Sequence, residues 1–391
     1  MSVNTMSFEQ SAALLNSIYK QATGKTSLTP ITNNADWISV ATSTLGAGVD
    51  PVMNAISQMV GRTIFSVRPY SRKFAGLQID NQRFGAITRK LAIADKDFDD
   101  DVHFNLVDGQ SIDHYTVNKP NALQVNFYGA NVFEKNVTQF KNQLDNAFTS
   151  AEQFGEWVSM VTQNSSDMIE QAHENLARAV IANGIAAKID AGQDVIHLLT
   201  EYNTLIGASP ALTIQDIYKP ANFKPFMQFV YSRVAEVCAQ MTERSVKYQM
   251  NITGKEISRH TPYQDQRVYL YAPYRYQAEM MAIADTFHDN YLRMADTETV
   301  NYWQSIDTPD TISCTPVYID STGAVKTGNA VSQANVFGII MDRDAMGYTV
   351  IDQTTAITPL NAKGLYWNIF YHFTDRYYTD FTEKMAVLLL D

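Results

Sequence analysis

The stretch that decides the fold is residues 150–191, SAEQFGEWVSMVTQNSSDMIEQAHENLARAVIANGIAAKIDA. Ser150 and Gln153 have the spacing of a capping box, which marks the start of a helix, and Gly192 closes the pattern. Residues at spacings of three, four and seven form one predicted stripe: Phe154, Trp157, Val161, Met168, Ala172, Leu176, Ala179 and Asn183. Some 40 residues at about 1.5 Å each make a helix on the order of 60 Å long. Because helical patterns beyond about 25 residues are unusual in globular domains, this helix indicates a subunit that packs with neighbours.

Upstream of this helix, the sequence changes to the alternating pattern of β-strands. The first run places four side chains on one face: Ile87, Arg89, Leu91 and Ile93. The second run alternates polar residues with three apolar ones: Leu123, Val125 and Phe127. Two strands of about 14 residues would form a ribbon on the order of 45 Å long, with the polar segment 95–119 at its distal end. Because an isolated ribbon is marginal in water, we expect a neighbouring subunit to supply its ordering contacts.

The rest of the chain alternates short helices and strands. The first 60 residues predict helices on a loose arm, over 8–22, from Asp36, and from Asp50-Pro51 to Gly61. Further helical patterns cover 223–243 and a stripe through Met280, Ile283, Phe287 and Tyr291. Period-two patterns predict strands over 267–271, 312–319, 336–341, 348–351, 365–373 and 384–390.

Composition excludes several classes of protein. The chain has 391 residues and a net charge of −11, so nucleic-acid recognition is not its expected main role. Charged residues make up 18% of the chain, against about 25% in soluble proteins, which favours extensive subunit interfaces. Cys238 and Cys314 cannot form a disulfide framework, and this favours a reducing cytosolic origin. The N-terminus does not have the pattern of a signal peptide, and we expect no membrane span.

The chemical motifs all have simpler structural interpretations. An acidic cluster at 95–103 does not have the Gly and Glu of a calcium loop, so we interpret it as a solvated loop. Gly24-Lys25-Thr26 does not have the upstream Gly of a phosphate-binding loop, and His173-Glu174 has no second His at the zincin spacing. The aromatic run 366–381 has few Arg and Lys residues and favours packing over base stacking. We therefore predict no catalytic residue, cofactor or metal site.

The order of elements is arm, β-ribbon, very long helix, mixed α/β region and closing strands. This order resembles the major capsid (head) protein of tailed bacteriophages, whose α+β fold is called Hong Kong ninety-seven. The resemblance lies in 84–98 and 123–140 as the extended E-loop, 154–189 as the spine helix, and 337–346 with 365–390 as the closing sheet. It implies these segments: an N-terminal arm (1–62), the E-loop ribbon (63–145), a P-domain with the spine helix (146–195), an A-domain (196–355) and P-domain closing strands (356–391).

The resemblance implies a non-enzymatic virion protein that assembles as hexamers and pentamers into an icosahedral shell around double-stranded DNA. Its implied partners are copies of itself, scaffolding, portal and decoration proteins, and non-specifically contacted DNA, with assembly in the host bacterial cytoplasm and no membrane. Two alternatives stay open, namely an encapsulin-like compartment for protein cargo and a cytosolic α/β enzyme with an unrecognised site.

Seven ribbon residues are the candidates for contact between subunits: Ile87, Arg89, Lys90, Leu91, Leu123, Val125 and Phe127. The apolar members are expected to cover a neighbour's apolar surface. Arg89 and Lys90 are expected to find acidic partners across the boundary, each pair with a small contribution.

Overall fold

A computed structural model gives the fold of the chain. It describes residues 8–24, 30–46, 51–52, 55, 74–78, 87–95, 107–110, 115, 117, 119, 121–128, 131–143, 150–283 and 297–391. Among the helices in these ranges, none combines the length and the apolar character that crossing a membrane requires.

The secondary structure is numbered in chain order. The helices are α1 (Phe8–Thr23), α2 (Asn34–Gly46), α3 (Ala151–Ala191), α4 (Leu198–Ile206), α5 (Ile214–Ile217), α6 (Pro220–Thr242) and α7 (Ala272–Ile283). The strands are β1 (Ile87–Ile93), β2 (Ala122–Tyr128), β3 (Asn131–Phe140), β4 (Val195–His197), β5 (Gln266–Tyr271), β6 (Thr297–Val300), β7 (Ile312–Cys314), β8 (Val317–Ile319), β9 (Val325–Thr327), β10 (Val331–Gln333), β11 (Val336–Asp342), β12 (Met346–Ile357), β13 (Tyr366–Thr379) and β14 (Met385–Leu389). Short 3₁₀ turns lie at Ala75–Leu77 and Tyr263–Asp265.

Helix α3 confirms the long helix but not the face that it was predicted to bury. The Ser150 hydroxyl accepts a hydrogen bond from the Gln153 amide at 3.2 Å, and Gly192, with φ of 62°, ends the helix. The predicted stripe is wrong among the described side chains, because Met168 and Ala179 are exposed. The buried face instead runs through Ile169, His173, Ala177, Ile181, Ile185 and Lys188. The side chains of Phe154, Trp157 and Val161 lie outside the described residues.

Two cations lie on this buried face because each has a carboxylate partner. Arg178 forms an ion pair with Glu174, one helical turn earlier. The Lys188 Nζ lies 2.7 Å from the Asp194 Oδ2. Burial lowers the pKa of Lys188, and Asp194 offsets only part of that effect. A search for apolar periodicity cannot find such positions, which explains why the predicted stripe lies on the wrong side.

A five-stranded sheet in the order β4–β14–β11–β5–β6 forms the centre of one core. Strand β11 is antiparallel to both β14 and β5, whereas the outer pairs β14–β4 and β5–β6 are parallel. Every residue of β14 is buried, as expected for a central strand that is covered on both faces. Side chains from α3, α4 and α6 belong to the same core. The strands predicted at 267–271, 336–341 and 384–390 are confirmed to within one residue.

An antiparallel sheet in the order β12–β13–β3 carries the arm. Four alternate residues of β13 face α1 and α2: Trp367, Ile369, Tyr371 and Phe373. The first helices therefore pack on the body of their own subunit. Asn33 rather than Asp36 caps α2, since the Asn33 Oδ1 accepts hydrogen bonds from the amides of Ala35 and Asp36 at 2.9 Å. Most of the helix predicted from Asp50-Pro51 to Gly61 lies outside the described residues.

Several other predicted bounds differ from the structure. Strands β12 and β13 are longer than predicted, because half-buried and polar residues continue the pairing beyond the apolar positions. The strand predicted over 312–319 is divided into β7 and β8, which pair with different strands, and Pro316 lies between them. The helix predicted through Met280 is confirmed as far as Ile283, and its later positions fall outside the described residues.

Strands β1 and β2 form the predicted antiparallel ribbon, although each has seven residues. The predicted second strand divides, because residues 131–140 form β3 and pair with β13 in the other sheet. An alternating pattern identifies strands without identifying their partners, so the sequence could not distinguish β3 from a continuation of β2. Most of the segment 95–119 lies outside the described residues.

Candidate subunit-contact surfaces

The ribbon has two faces that its register separates. Residues that lie opposite each other in an antiparallel pair point to the same face, and neighbours along a strand point to opposite faces. Arg89 is opposite Asn126 and Leu91 is opposite Gln124, so these residues share an outer face. Lys90 is opposite Val125 on the inner face.

The inner face packs on the chain's own body. Leu123 and Val125 are buried in a small apolar cluster with Ile252. The ring of Phe127 lies 5.1 Å from the ring of Tyr378, centroid to centroid. Three of the seven candidate residues therefore contact this subunit itself.

Lys90 anchors the inner face through charge. Its Nζ lies 2.9 Å from the Asp380 Oδ2 and forms a second ion pair with Glu383. Arg259 also reaches Glu383, with Nη1 2.7 Å from Oε1. Burial opposes the charged form of Lys90, but the carboxylates of Asp380 and Glu383 outweigh it, so the pKa of Lys90 is raised. Burial also raises the pKa of Glu383, and its two cations offset only part of that rise.

Asp95 fastens the ribbon just beyond the end of β1. Its carboxylate accepts hydrogen bonds from the Ser258 amide at 2.6 Å and the Arg244 Nη2 at 2.7 Å. Its amide donates to the Glu256 carbonyl at 2.9 Å. The Ser258 hydrogen bond, together with Arg244, lowers the pKa of Asp95. The expectation that a neighbour must supply the ribbon's ordering contacts is thus wrong for the inner face, while the rest of the acidic cluster, 96–103, lies outside the described residues.

The outer face remains open to solvent. Leu91 is 68% exposed, and Ile93, on the same face, is similarly exposed. Arg89 is exposed beside them. The side chain of Ile87 lies outside the described residues. The contact of these residues with another subunit stays a prediction.

The other residues that the sequence analysis weighed for chemistry lie in packing contacts and ion pairs of the fold. The His173 Nδ1 lies 3.1 Å from the Asp375 Oδ2, between α3 and β13, and the His173 ring stacks on Tyr348 at 5.8 Å. Cys238 is buried and Cys314 is half-buried, and the two are not joined by a disulfide. Within the described ranges, no group of three or more His, Cys, Asp or Glu side chains is arranged to hold a metal ion. The packing interpretation of the aromatic run is confirmed for four of its residues: Trp367, Tyr371, Phe373 and Phe381.

A second exposed apolar surface was missed by the sequence reasoning. It lies at the C-terminal end of α4, where Leu205 is 69% exposed and Ile206 is also exposed. The signal was present in the sequence, because residues 202–215 contain no charged side chain.

Comparison with known proteins gives the family. A family model described as Phi29-like phage major capsid protein matches residues 15–388. The chain belongs to this family. This capsid protein is therefore a shell-forming phage protein, and the predicted family is confirmed. A search of curated proteins finds no match.

Two solved structures share the fold of this capsid protein. The capsid structure of Staphylococcus phage Andhra matches with a TM-score of 0.55 and 12% identity, over 82% of this chain and 84% of that chain. A structure described as head fiber and inner core protein gp22 of native bacteriophage P68 matches with a TM-score of 0.52 and 14% identity, over 82% and 85%. The predicted α+β fold of the Hong Kong ninety-seven type is confirmed. Neither the encapsulin-like compartment nor the cytosolic enzyme gains support from these comparisons.

Proposed function

We propose that copies of this capsid protein assemble as hexamers and pentamers into an icosahedral shell that encloses the double-stranded DNA of a tailed phage. The observation that carries the proposal is the family match across residues 15–388. Scaffolding, portal and decoration proteins are the proposed further partners, and assembly takes place in the host bacterial cytoplasm before the protein becomes part of the virion. The proposal includes no catalytic residue, cofactor or metal.

The proposed contact with DNA is non-specific. A net charge of −11 gives each subunit an overall repulsion from phosphate groups. A shell of such subunits confines its genome mechanically, because its overall charge does not favour adhesion to the DNA.

We retain the five-segment map as a proposal with one change. The arm (1–62), ribbon (63–145) and P-domain with the spine helix (146–195) keep their proposed bounds. The A-domain (196–355) contributes β5, β6 and β11, and β14 pairs with β11. This pairing supports assigning residues 385–389 to the A-domain sheet, and it leaves β13 in the P-domain.

We propose that the seven ribbon residues act in two ways. Arg89 and Leu91 contact a neighbouring subunit, supported by their exposure on one face. Ile87 is included with them because its position alternates onto the same face of β1. The other four act indirectly by holding the ribbon in place on its own subunit: Lys90, Leu123, Val125 and Phe127.

Electron microscopy and sedimentation of the expressed chain, with and without co-expressed phage partners, test the shell function. We expect closed particles or capsomers of five and six subunits. A stable 43.9 kDa monomer under every condition would contradict the proposal.

Leu91→Asp tests the outer face of the ribbon. An Asp in an apolar contact must be desolvated, so we expect at least tenfold fewer assembled particles with an unchanged melting temperature. Ile306→Asp is a matched control, because Ile306 is 75% exposed and belongs to the loop between β6 and β7 rather than to the ribbon strands. Assembly of Leu91→Asp at the level of this control would show that the outer face makes no contact between subunits.

A further inference from the structure

A group of aromatic rings lies where β5 ends and α7 begins. The rings of Tyr271 and Tyr274 lie 5.0 Å apart at 79° to each other, and the ring of Tyr274 stacks on Phe337 of β11 at 5.7 Å. These three residues are buried. Just after α5, the ring of Tyr218 stacks on Phe223 at 5.8 Å, and Tyr218 is 44% exposed. The group therefore has a rigid buried part and one ring that reaches the surface.

The half-buried Asp310 lies beside these rings. Its carbonyl accepts a hydrogen bond from the Val336 amide at 3.0 Å, at the start of β11 and next to the ring that stacks on Tyr274. Burial raises the pKa of Tyr218, Tyr271 and Tyr274, and the negative charge of this carboxylate raises each pKa further. The three hydroxyl groups therefore lie within electrostatic range of one carboxylate.

This carboxylate has no cation beside it. In the part of the chain that the structure describes, the Asp310 side chain forms no ion pair and accepts a hydrogen bond from the Thr311 hydroxyl at 3.0 Å. The three tyrosine hydroxyls have no hydrogen-bond partner within the same ranges. The cation next to Tyr218 in sequence is already used, because the Lys219 Nζ lies 2.6 Å from the Asp216 Oδ1. A half-buried carboxylate without a partner attracts a positive charge more strongly than a fully solvated one.

We propose that Asp310, Tyr218, Tyr271 and Tyr274 form a binding site for an organic ammonium group, which is the end either of a free diamine or of a lysine side chain of another protein. An ammonium group donates hydrogen bonds to carboxylate and phenol oxygens, and the faces of aromatic rings attract it. A divalent metal ion fits less well, because Ca²⁺ and Mg²⁺ take about six or more oxygen ligands and the site offers one carboxylate. The site lies within one subunit and goes beyond the proposed shell function.

Isothermal titration calorimetry of the purified full chain with n-butylammonium and with 1,4-diaminobutane tests the site. Asp310→Asn keeps the shape of the side chain and removes its charge, so we expect it to weaken the binding of both probes at least about tenfold. Asp307→Asn is the matched control, because Asp307 belongs to the same loop, is exposed, and loses the same charge. We expect it to change the affinity less than about twofold, since solvent and salt screen an exposed charge.

Two further measurements separate the ring from the charge and one source of ammonium from the other. Tyr218→Leu removes the exposed aromatic face and keeps Asp310, so we expect about threefold weaker binding of n-butylammonium. Thermal melting of each variant checks that the fold is kept. A diamine that binds no more than about twofold tighter than n-butylammonium indicates that one ammonium end is recognised, as in a lysine side chain, because a diamine has two equivalent ends. A larger ratio indicates a free diamine.

Two results would overturn the inference. Equal weakening by Asp310→Asn and Asp307→Asn would show that the net charge of −11 alone attracts the ammonium ions. Absence of saturable binding to the unsubstituted chain would show that the rings and the carboxylate form no site. Both results leave the shell proposal unchanged, because assembly is scored separately by electron microscopy. Binding that depends on Asp310 in a chain that never assembles would overturn the shell proposal alone.

Discussion

Replacing Lys90 with Met is expected to loosen the ribbon from its own subunit. The substitution keeps most of the side-chain length and removes the charge that joins β1 to Asp380 and Glu383. Arg259 then remains beside Glu383, and Asp380 loses its ion pair with the ribbon. The apolar contacts of Leu123 and Val125 stay in place, so we expect undocking to become more frequent without loss of the fold.

The burial of Lys90 and Asp380 sets the size of the effect. The Asp380 side chain is fully buried, whereas the Lys90 side chain is 27% exposed. Breaking a buried pair by removing one partner costs about 3–5 kcal/mol, and an exposed pair is worth about 0–1 kcal/mol. The ion pairs of Lys90 are partly exposed, so we expect their loss to cost about 2 kcal/mol, between these limits. Since about 1.4 kcal/mol is a factor of ten, the open population should rise about 30-fold.

Amide hydrogen exchange of the unassembled subunit measures this opening. The Asp95 amide donates to the Glu256 carbonyl across the boundary between ribbon and body, so its exchange reports undocking directly. Arg89→Met is the matched control on the same strand, because Arg89 points to the outer face, and we expect less than about a threefold change. Equal exchange rates at Asp95 in the two variants would refute the claim that Lys90 holds the ribbon on its own subunit.

The pH dependence of the same variant follows from Glu383. Burial raises the pKa of Glu383, and Lys90 offsets part of that rise, so removing Lys90 raises it further. A carboxyl group whose pKa is raised in the folded state contributes stability at low pH, and this is lost as pH rises through that pKa. Protonated Glu383 no longer needs a cation. The cost of Lys90→Met should therefore be smaller at about pH 5 than at about pH 8, and the opposite trend would contradict this account.

Two further substitutions test the packing. Gly338→Ala should lower the free energy of unfolding by about 1–3 kcal/mol in denaturant melts, because its Cβ would lie 2.6 Å from a backbone oxygen of β5. Gly46→Ala is the control, because Gly46 has open space around it. Equal effects of the two substitutions would contradict the steric argument. Asp190→Asn should lower the free energy of unfolding by about 1 kcal/mol, because the carboxylate accepts hydrogen bonds from Tyr318 at 2.7 Å and from the side chain of Asn329 at 2.9 Å. These hydrogen bonds, that from Tyr318 foremost, lower the pKa of Asp190. The difference in the free energy of unfolding between the unsubstituted chain and Asp190→Asn should therefore vanish as pH falls through that lowered pKa. A difference that does not depend on pH would contradict the assignment.

Local signals in the sequence predict much of the fold. The Ser150 cap, the Gly192 stop and the apolar runs of β5, β11 and β14 are short-range patterns, and each is found where the sequence places it. The buried face of α3 could not be predicted in the same way. His173 and Lys188 are polar in sequence and buried only because Asp375 and Asp194 lie beside them in the fold.

The candidate surfaces show the same division. Alternation assigned Leu91 and Val125 to the ribbon correctly, but it could not say which body each face would meet. The inner contacts of Lys90 join residues nearly 300 positions apart, beyond the reach of any periodic pattern. The uncharged stretch 202–215 was a usable signal in the sequence, but only the structure shows that Leu205 and Ile206 are exposed.

The position of β14 has a consequence for the timing of synthesis. This strand lies between β4 and β11, so the central sheet has a gap until residues 385–389 have left the ribosome. Its parallel partner β4 is made about half a chain earlier and must wait for it, which is a slow kind of pairing. A growing polypeptide in which β14 is not yet made therefore has an incomplete central sheet, and it cannot form the complete surface that another subunit would contact. We therefore expect a chain to enter the shell only after β14 has paired with β4 and β11.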